Sequence, residues 1–217
     1  MMNETLKRVL SSIIIVPIFL FFILKGSIYF ILFLITFFLI TSYEWVNMSK
    51  NKTLSFLGII FLFLTSYSAY LLRGSNIDSL FIFLFVILIC VSTDIGGYVF
   101  GKLFKGPKLI KISPNKTYSG MIGSYIFSII IGNLFVNEYG NYVLNSLLYS
   151  QDEIKFLVLI FLISSVSQLG DLFISYFKRL SKIKNTGKIL PGHGGLLDRI
   201  DGMIFAFPAT YLILKIL

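Results

Sequence analysis

Long runs of apolar residues alternate with short polar stretches along almost the whole chain. Seven runs approach the roughly 20 apolar residues that a helix needs to cross a bilayer. They cover residues 9–25, 27–43, 54–72, 79–100, 119–136, 154–177 and 202–217. A helix suits such segments because it bonds its own backbone polar groups inside lipid. The pattern predicts an all-α, polytopic integral membrane protein, a helical bundle with about seven transmembrane helices.

The remaining residues form connections between these runs. The second, fifth and last runs are short enough that one of them could be a re-entrant or tilted segment. Composition agrees with a membrane protein, since 56% of the residues are hydrophobic and 13% are charged, against roughly 25% charged in soluble domains. We expect one transmembrane domain over residues 1–217, with no separate soluble domain.

The positive charges predict the orientation of the chain. In a soluble protein a net charge of +9 would suggest nucleic acid, but in a membrane protein Lys and Arg mark the cytoplasmic loops. With the N-terminus in the cytoplasm, fifteen of the 19 basic residues lie inside, so no nucleic-acid partner is expected. The outside segments keep only Lys25, Arg73, Lys155 and Lys215.

Two features near the first and fourth runs carry less weight. The first run follows Lys7 and Arg8 and could be a cleaved signal peptide, but its length and the lack of a small-x-small site before Lys25 favour a retained span. The single cysteine, Cys90, excludes an intrachain disulfide and is given no role.

Polar residues in or beside membrane spans are costly and are therefore functional candidates. A first cluster runs from Ser92 to Thr117, at the end of the fourth run and in the loop expected after it. Its carboxylate, glycines and lysines suit an anionic ligand. For Lys102, Lys105 and Lys108 an equally good explanation is contact with lipid headgroups. A P-loop is excluded, because Leu103 stands where Ser or Thr is needed.

A second, richer cluster covers residues 168–202. Asp198 and Asp201 are three positions apart, so on a helix they would share a face, and Asp171 at the end of the preceding span could meet them. Three close carboxylates call for a divalent cation, and oxygen ligands favour magnesium. The alternatives are that Asp198 and Asp201 pair with Arg199 and Lys184, and that Asp171 is only interfacial.

The residues around these carboxylates suit phosphate groups. Gly192, Gly194 and Gly195 supply flexible backbone whose N–H groups can bind phosphate oxygens. His193, the only histidine, is assigned a hydrogen-bonding or proton-transfer role with substrate. Basic residues surround this run: Lys178, Arg179, Lys184, Lys188 and Arg199. Metal-binding carboxylates with phosphate-binding cations predict phosphoryl or nucleotidyl transfer.

The second cluster resembles the signature of the phosphatidate cytidylyltransferases, or CDP-diacylglycerol synthases. The matching residues are Ser175, Lys178, Arg179, Lys184, Gly187, Leu190, Pro191, Gly192, His193, Gly194, Gly195, Asp198, Arg199 and Asp201. The first cluster is similar to the family's upstream motif through Asp94, Gly96, Tyr98, Gly101, Lys102, Ser113, Pro114, Lys116, Thr117 and Gly120. The departures are Asn185 for Asp, and Ile174 and Ser119 for Glu, which leaves a low-activity member open.

The resemblance implies a magnesium-dependent nucleotidyltransferase of the inner (plasma) membrane, with its active site facing the cytoplasm. CTP and phosphatidate would give CDP-diacylglycerol and pyrophosphate in phospholipid biosynthesis. The expected catalytic residues are Asp171, Lys178, Arg179, His193, Asp198 and Asp201, with Asp171, Asp198 and Asp201 as metal ligands. The expected substrate-binding residues are Asp94, Ser113, Lys116, Lys184, Gly194, Gly195 and Arg199. A second, monovalent cation and a homodimer are further expectations.

Three other functions remain as alternatives or are excluded. A CTP-dependent transferase acting on another lipid phosphate would keep the same chemistry. A transporter that uses its intramembrane carboxylates would move solute without consuming nucleotide. A CDP-alcohol phosphatidyltransferase is excluded, because it needs a D-G-x-x-A-R motif that this sequence lacks.

Overall fold

The computed structural model describes residues 4–110, 113–147, 153–190, 192 and 194–216. The helices and strands follow in chain order: α1 (Glu4–Lys25), α2 (Ser27–Met48), α3 (Lys52–Arg73), α4 (Ile77–Phe104), β1 (Lys108–Ile110), β2 (Ser113–Thr117), α5 (Tyr118–Leu147), α6 (Glu153–Leu180), α7 (Leu197–Ile200) and α8 (Met203–Ile216). Helix α5 has a kink at Tyr139. The all-α, polytopic class is confirmed.

Each predicted apolar run coincides with a helix. Within the described residues, five helices are long and apolar enough to cross a membrane: α2, α3, α4, α5 up to Gly140, and α6 from Ile154. Residues Ile13–Lys25 and Met203–Ile216 form shorter apolar helices. Apolar side chains such as Leu39 and Phe63 are exposed on the helix surfaces, as lipid-facing residues are. The number of crossings and the cytoplasmic N-terminus stay predictions.

The described chain divides into two compact units. The first unit comprises residues up to Tyr70 together with Phe177–Ile200, and the second comprises Leu71–Tyr176 together with residues from Asp201 onward. Each unit joins stretches that are distant in the sequence. The expectation of one transmembrane domain over residues 1–217 stays a prediction.

In the first unit, the end of α2 packs against the segment that begins at Phe177. The rings of Trp45 and Phe177 meet edge to face at 5.1 Å, and the Ser181 hydroxyl donates to the carbonyl oxygen of Met48. The indole N–H of Trp45 donates to the carbonyl oxygen of Leu54 at 3.0 Å. These contacts hold the end of α6 and the residues that follow it against the C-terminal end of α2 within this unit.

In the second unit, α4 and α5 approach closely through small residues. A Cβ added at Gly96 would lie 2.6 Å from the carbonyl oxygen of Gly123, and one at Gly120 would lie 2.8 Å from that of Gly97. The hydroxyl of Ser124 also donates to the Thr93 carbonyl oxygen at 2.8 Å. Small residues allow such backbone approach between membrane helices. The glycines of α4, which we expected to suit an anionic ligand, therefore make room for α5.

The segment after α4 also differs from the expected loop. Helix α4 continues to Phe104, so the residues from Gly96 to Lys102, which fit the glycine and lysine spacing of a P-loop, are helical. Strands β1 and β2 then form an antiparallel hairpin that pairs Lys108 with Thr117 and Ile110 with Ser113. Sequence reasoning missed the hairpin, because its strands are short and carry no alternation of apolar and polar residues.

Candidate active site

The C-terminal motif begins on the last turns of α6 and continues through a loop to the short helix α7. Lys178 and Arg179 lie in the last turn of α6, and Asp198 lies in α7. Lys182 adopts a positive φ of 57°, which turns the chain sharply just after α6. The loop therefore brings residues about twenty positions apart back toward the end of the helix.

Asp198 is the centre of a largely buried network in this loop. Its Oδ1 accepts from the Lys178 ammonium at 3.0 Å. Its Oδ2 accepts from two backbone N–H groups, those of Thr186 at 2.8 Å and Gly195 at 3.1 Å. The side chains of Lys178 and Asp198 are only 14% and 7% exposed, so water screens their attraction weakly. The partner of Asp198 is Lys178, not Arg199 or Lys184 as the alternative interpretation proposed.

The glycines of the motif shape a tight backbone turn. Leu190 and Gly194 exchange two backbone hydrogen bonds, at 2.9 and 3.1 Å. Gly194 has a φ of +93°, a conformation that residues with a Cβ rarely adopt. Because the N–H groups of Gly194 and Gly195 already have acceptors within the protein, phosphate binding by these two amides stays a prediction. His193 lies outside the described residues.

Sequence reasoning missed the carboxylate of Glu44, which lies near the end of α2. This side chain is 1% exposed and accepts hydrogen bonds from the segment between residues 186 and 197. The available signal was an ionisable residue near the end of an apolar run, which is a functional candidate by default. The end predicted for the second run, residue 43, placed Glu44 just outside the span.

A second charged pair lies in the other unit, between the hairpin and α6. The ammonium of Lys116, on β2, is 2.6 Å from Asp171 Oδ2, and the Ser175 hydroxyl donates to Asp171 Oδ1 at 3.2 Å. Both charged side chains are about a quarter exposed, at 26% and 28%. This contact joins one residue from each motif that the sequence singled out.

Asp201 follows α7 and precedes α8. Because α7 ends at Ile200 and α8 begins at Met203, no continuous helix carries both Asp198 and Asp201, and the premise of a shared helix face is wrong. Asp201 is 9% exposed, and its Oδ1 accepts from the Gly202 N–H at 3.0 Å. The turn between α7 and α8 therefore fixes the position of the Asp201 carboxylate, and the three-residue spacing from Asp198 does not.

The other predicted substrate residues differ in their surroundings. Asp94, Arg179, Lys184 and Arg199 have exposed side chains, and Ser113 is partly buried on β2. Arg179, Lys184 and Arg199 lie at helix ends or in the loop, where a ligand can reach them from water, whereas Asp94 lies inside α4. Their roles stay predictions.

Carboxylate oxygens are the ligands that magnesium takes in proteins, so the chemistry of Asp171, Asp198 and Asp201 fits this cation. Among the described residues, no group of three or more His, Cys, Asp or Glu side chains is arranged to hold a metal ion. Asp171 and Asp198 each contact a lysine instead. The ammonium group of a lysine and a bound magnesium ion would each neutralise the negative charge of a carboxylate. The assignment of these three carboxylates to magnesium stays a prediction.

The three departures from the family motif have different surroundings. Ile174 is 1% exposed and packs in the apolar interior of its unit. Ser119 contacts the Lys105 carbonyl oxygen and lies 2.9 Å from the Thr117 hydroxyl. Asn185 lies beside Gly194, where an added Cβ would be 3.1 Å from its side chain. Ile174 therefore replaces a polar group with core packing, Ser119 keeps polar contacts, and Asn185 packs beside Gly194.

The Lys116–Asp171 pair gives a prediction about the hairpin. We expect Lys116→Met to lower turnover about tenfold, because it removes a cation from the substrate-binding motif, while the free energy of unfolding changes by less than about 1 kcal/mol. Steady-state kinetics and thermal unfolding in detergent measure both. Lys52→Met, at the exposed start of α3, is the matched control and should behave as the unmodified chain.

The variant Lys116→Arg tests whether the positive charge is what matters, because it keeps a cation within reach of Asp171. We expect it to recover most of the turnover that Lys116→Met loses. Full activity of Lys116→Met alone would contradict a substrate role.

The geometry defines a class of protein. It is a polytopic membrane protein in which Lys178, Asp198 and a glycine-rich loop lie together within the first unit, an arrangement that suits phosphate-transfer chemistry. A family model described as "Cytidylyltransferase family" matches residues 53–217, about three quarters of the chain. The chain belongs to the cytidylyltransferase family and is a nucleotidyltransferase, as the sequence predicted.

Curated relatives carry a more specific name. The chain is 34% identical over 210 residues to a phosphatidate cytidylyltransferase of Rickettsia bellii, with 95% of this chain and 89% of the relative covered. It is 33% identical over 218 residues to that of Rickettsia felis, with 95% and 90% covered. For the enzyme of Brucella suis the identity is 37% over 156 residues, covering 71% of this chain and 54% of the relative.

Proposed function

We propose that this chain is a phosphatidate cytidylyltransferase, which converts CTP and phosphatidate into CDP-diacylglycerol and pyrophosphate. The observation that carries the proposal is the network around Asp198. Lys178, Gly195 and Asp198 belong to the motif by which the chain resembles this family, and they bond to one another in the folded chain. The names of the relatives support the same reaction.

In this reaction an oxygen of the lipid phosphate attacks the α-phosphorus of CTP. A new P–O bond forms, the bond from the α-phosphorus to the bridging oxygen breaks, and pyrophosphate leaves with that oxygen and its electron pair. No strong general base is needed, because a phosphate monoester is largely ionised near neutral pH, with a second pKa of about 6. The protein's task is therefore to position two anions and offset their charge.

The residues of the chain divide this task. Exposed Arg179, Lys184 and Arg199 attract the triphosphate and balance the charge of the leaving pyrophosphate. Lys178 stays bonded to Asp198 and holds this carboxylate in place. Asp171, Asp198 and Asp201 would hold magnesium, which supplies charge neutralisation on phosphate oxygens when it is bound.

The proposed setting is the inner membrane of a bacterium, with the site at the cytoplasmic face. CTP is soluble and enters from water, whereas the diacyl lipid enters sideways from the bilayer. The excess of Lys and Arg in the loops that carry both motifs supports this orientation. A homodimer belongs to the proposal only through resemblance to the family.

The test is CTP-dependent conversion of phosphatidate by the purified chain in detergent, with magnesium and with a chelator. We expect pyrophosphate and CDP-diacylglycerol to appear together in equal amounts, and both to vanish when magnesium is removed. Pyrophosphate without CDP-lipid would contradict the lipid as acceptor. If a folded sample forms neither pyrophosphate nor CDP-diacylglycerol, the proposal for phosphatidate is overturned.

A related candidate uses the same chemistry on another lipid phosphate. The departure at Asn185 lies in the motif by which the chain resembles the family, the departure at Ile174 lies directly before it, and these two departures are the observation that favours this candidate. Offering a polyprenyl phosphate and phosphatidate in competition distinguishes the two, since only the preferred lipid should accumulate as its CDP derivative.

A further inference from the structure

Glu44 is a buried carboxylate within an apolar helix. It lies near the end of α2, a helix long and apolar enough to cross a membrane, and it is 1% exposed. Burying a carboxylate costs several kcal/mol unless hydrogen bonds replace its water. The fold therefore has to supply donors for both of its oxygens.

The donors all come from the motif segment more than 140 positions further along the chain. Oε1 accepts from the backbone N–H of Leu196 at 2.9 Å. Oε2 accepts from the backbone N–H of Leu197 at 2.8 Å and from the Thr186 hydroxyl at 2.9 Å. Glu44 thus binds both ends of the loop that runs from Thr186 to Leu197.

The same loop holds Asp198 through neighbouring groups. Thr186 gives its hydroxyl to Glu44 and its N–H to Asp198. The N–H of Gly195 goes to Asp198, and the next N–H, that of Leu196, goes to Glu44. The two carboxylates are therefore coupled through shared residues, and a shift of the Glu44 contacts moves the amides that fix Asp198.

The loop has glycines where it faces the Glu44 carboxylate. A Cβ added at Gly187 would lie 2.5 Å from Glu44 Oε1, and one added at Gly195 would lie 2.6 Å from Oε2. Both distances are shorter than real Cβ contacts, so these positions are shaped to admit a carboxylate. The loop thus provides both the space and the hydrogen-bond donors that the Glu44 carboxylate needs.

We propose that Glu44 is a positioning residue for nucleotidyl transfer, which fixes the loop from Thr186 to Leu197 and through it the Asp198 carboxylate. The link to catalysis rests on the proposed function, but the anchoring itself does not. A carboxylate suits this role better than an amide, because it offers acceptors at both oxygens and no donor that would face the loop amides.

The first experiment measures amide hydrogen exchange in detergent for Glu44→Gln. The amide NH₂ of glutamine faces a donor in either orientation, so at least one bond to Leu196 or Leu197 is lost. We expect exchange of these two amides to accelerate about tenfold, with no change in the peptide covering Leu159–Ile163. Glu138→Gln, an exposed glutamate on α5, is the matched control. Unchanged exchange at Leu196 and Leu197 would overturn the anchoring role.

The second experiment tests the link to the reaction. A partly unfolded sample lowers the apparent kcat but leaves KM unchanged, whereas a displaced loop should raise the KM for CTP. We expect Glu44→Gln to raise this KM about tenfold and to lower kcat, and Glu138→Gln to change neither. A KM equal to that of the unmodified chain would overturn the positioning role even where exchange had accelerated.

A double-mutant cycle with Thr186→Val gives a third, independent measurement. Valine keeps the shape and the backbone N–H of Thr186 but removes the hydroxyl that donates to Glu44. We expect the effects of Glu44→Ala and Thr186→Val on KM to be clearly less than additive, because both remove the hydrogen bond between the Thr186 hydroxyl and the side chain of residue 44. Full additivity would contradict a shared contact. An inactive unmodified chain would refute the proposed function alone, since hydrogen exchange still tests the anchor.

Discussion

Replacing Asp198 by alanine should lower CTP-dependent turnover by roughly 10²–10³-fold and the free energy of unfolding by about 3–5 kcal/mol. The substitution leaves the buried ammonium of Lys178 without its counter-charge. It also leaves the N–H groups of Thr186 and Gly195 without their acceptor. Steady-state kinetics and denaturant unfolding in mixed micelles measure the two losses.

A control variant and a double variant separate the effect of Asp198 on catalysis from its effect on stability. Asp78→Ala removes a carboxylate from the first turn of α4, and it should cost no more than about 1 kcal/mol with normal turnover. The double variant Lys178→Met with Asp198→Asn removes both charges, so stability should largely recover while turnover stays low. Recovery of turnover in the double variant would show that the pair is only structural.

Gly195→Ala should have the next largest effect. The added methyl group would lie 2.1 Å from the Thr186 hydroxyl oxygen, 2.6 Å from Glu44 Oε2 and 2.7 Å from the backbone nitrogen of Gly187. Because one of these atoms belongs to the backbone, the loop itself must move, at a cost of about 1–3 kcal/mol. We expect turnover to fall about 100-fold, measured with saturating CTP and phosphatidate.

Gly101→Ala is the matched control for this substitution. Its added methyl would meet the Thr117 hydroxyl at 3.2 Å, and the next atom would be 3.6 Å away, so a small side-chain shift suffices. Turnover and stability should remain within about threefold and 1 kcal/mol of the unmodified chain. Equal losses in the two glycine variants would mean that the methyl group itself, and not the crowding around Glu44, is responsible.

The candidate site shows where sequence patterns stop being informative. The motif spacing singled out Lys178 and Asp198, but the sequence offered Lys184 or Arg199 as the partner of Asp198, and the structure shows Lys178. The spacing of Asp198 and Asp201 suggested one helix face, yet α7 ends between them. Charge type is visible in a sequence, whereas the pairing of charges depends on how a loop returns to its helix.

The glycines of α4 illustrate the same limit. Gly96 and Gly97 look like flexible backbone beside a ligand when only the sequence is considered. In the fold they allow close approach of α5, where Gly120 and Gly123 complete the contact. A glycine in a sequence can indicate that there is no room for a side chain at its position. Which neighbouring residue occupies that room is known only from the tertiary structure.

The sequence alone determined the helices and the class of chemistry. An apolar run in lipid becomes a helix because its backbone groups must bond within the segment, which is a local requirement. Only the tertiary structure revealed that Glu44 binds the loop from Thr186 to Leu197, since no spacing rule connects residues more than 140 positions apart. A buried carboxylate takes its donors from whichever segment packs against it, and that choice is made by packing, not by neighbours in the chain.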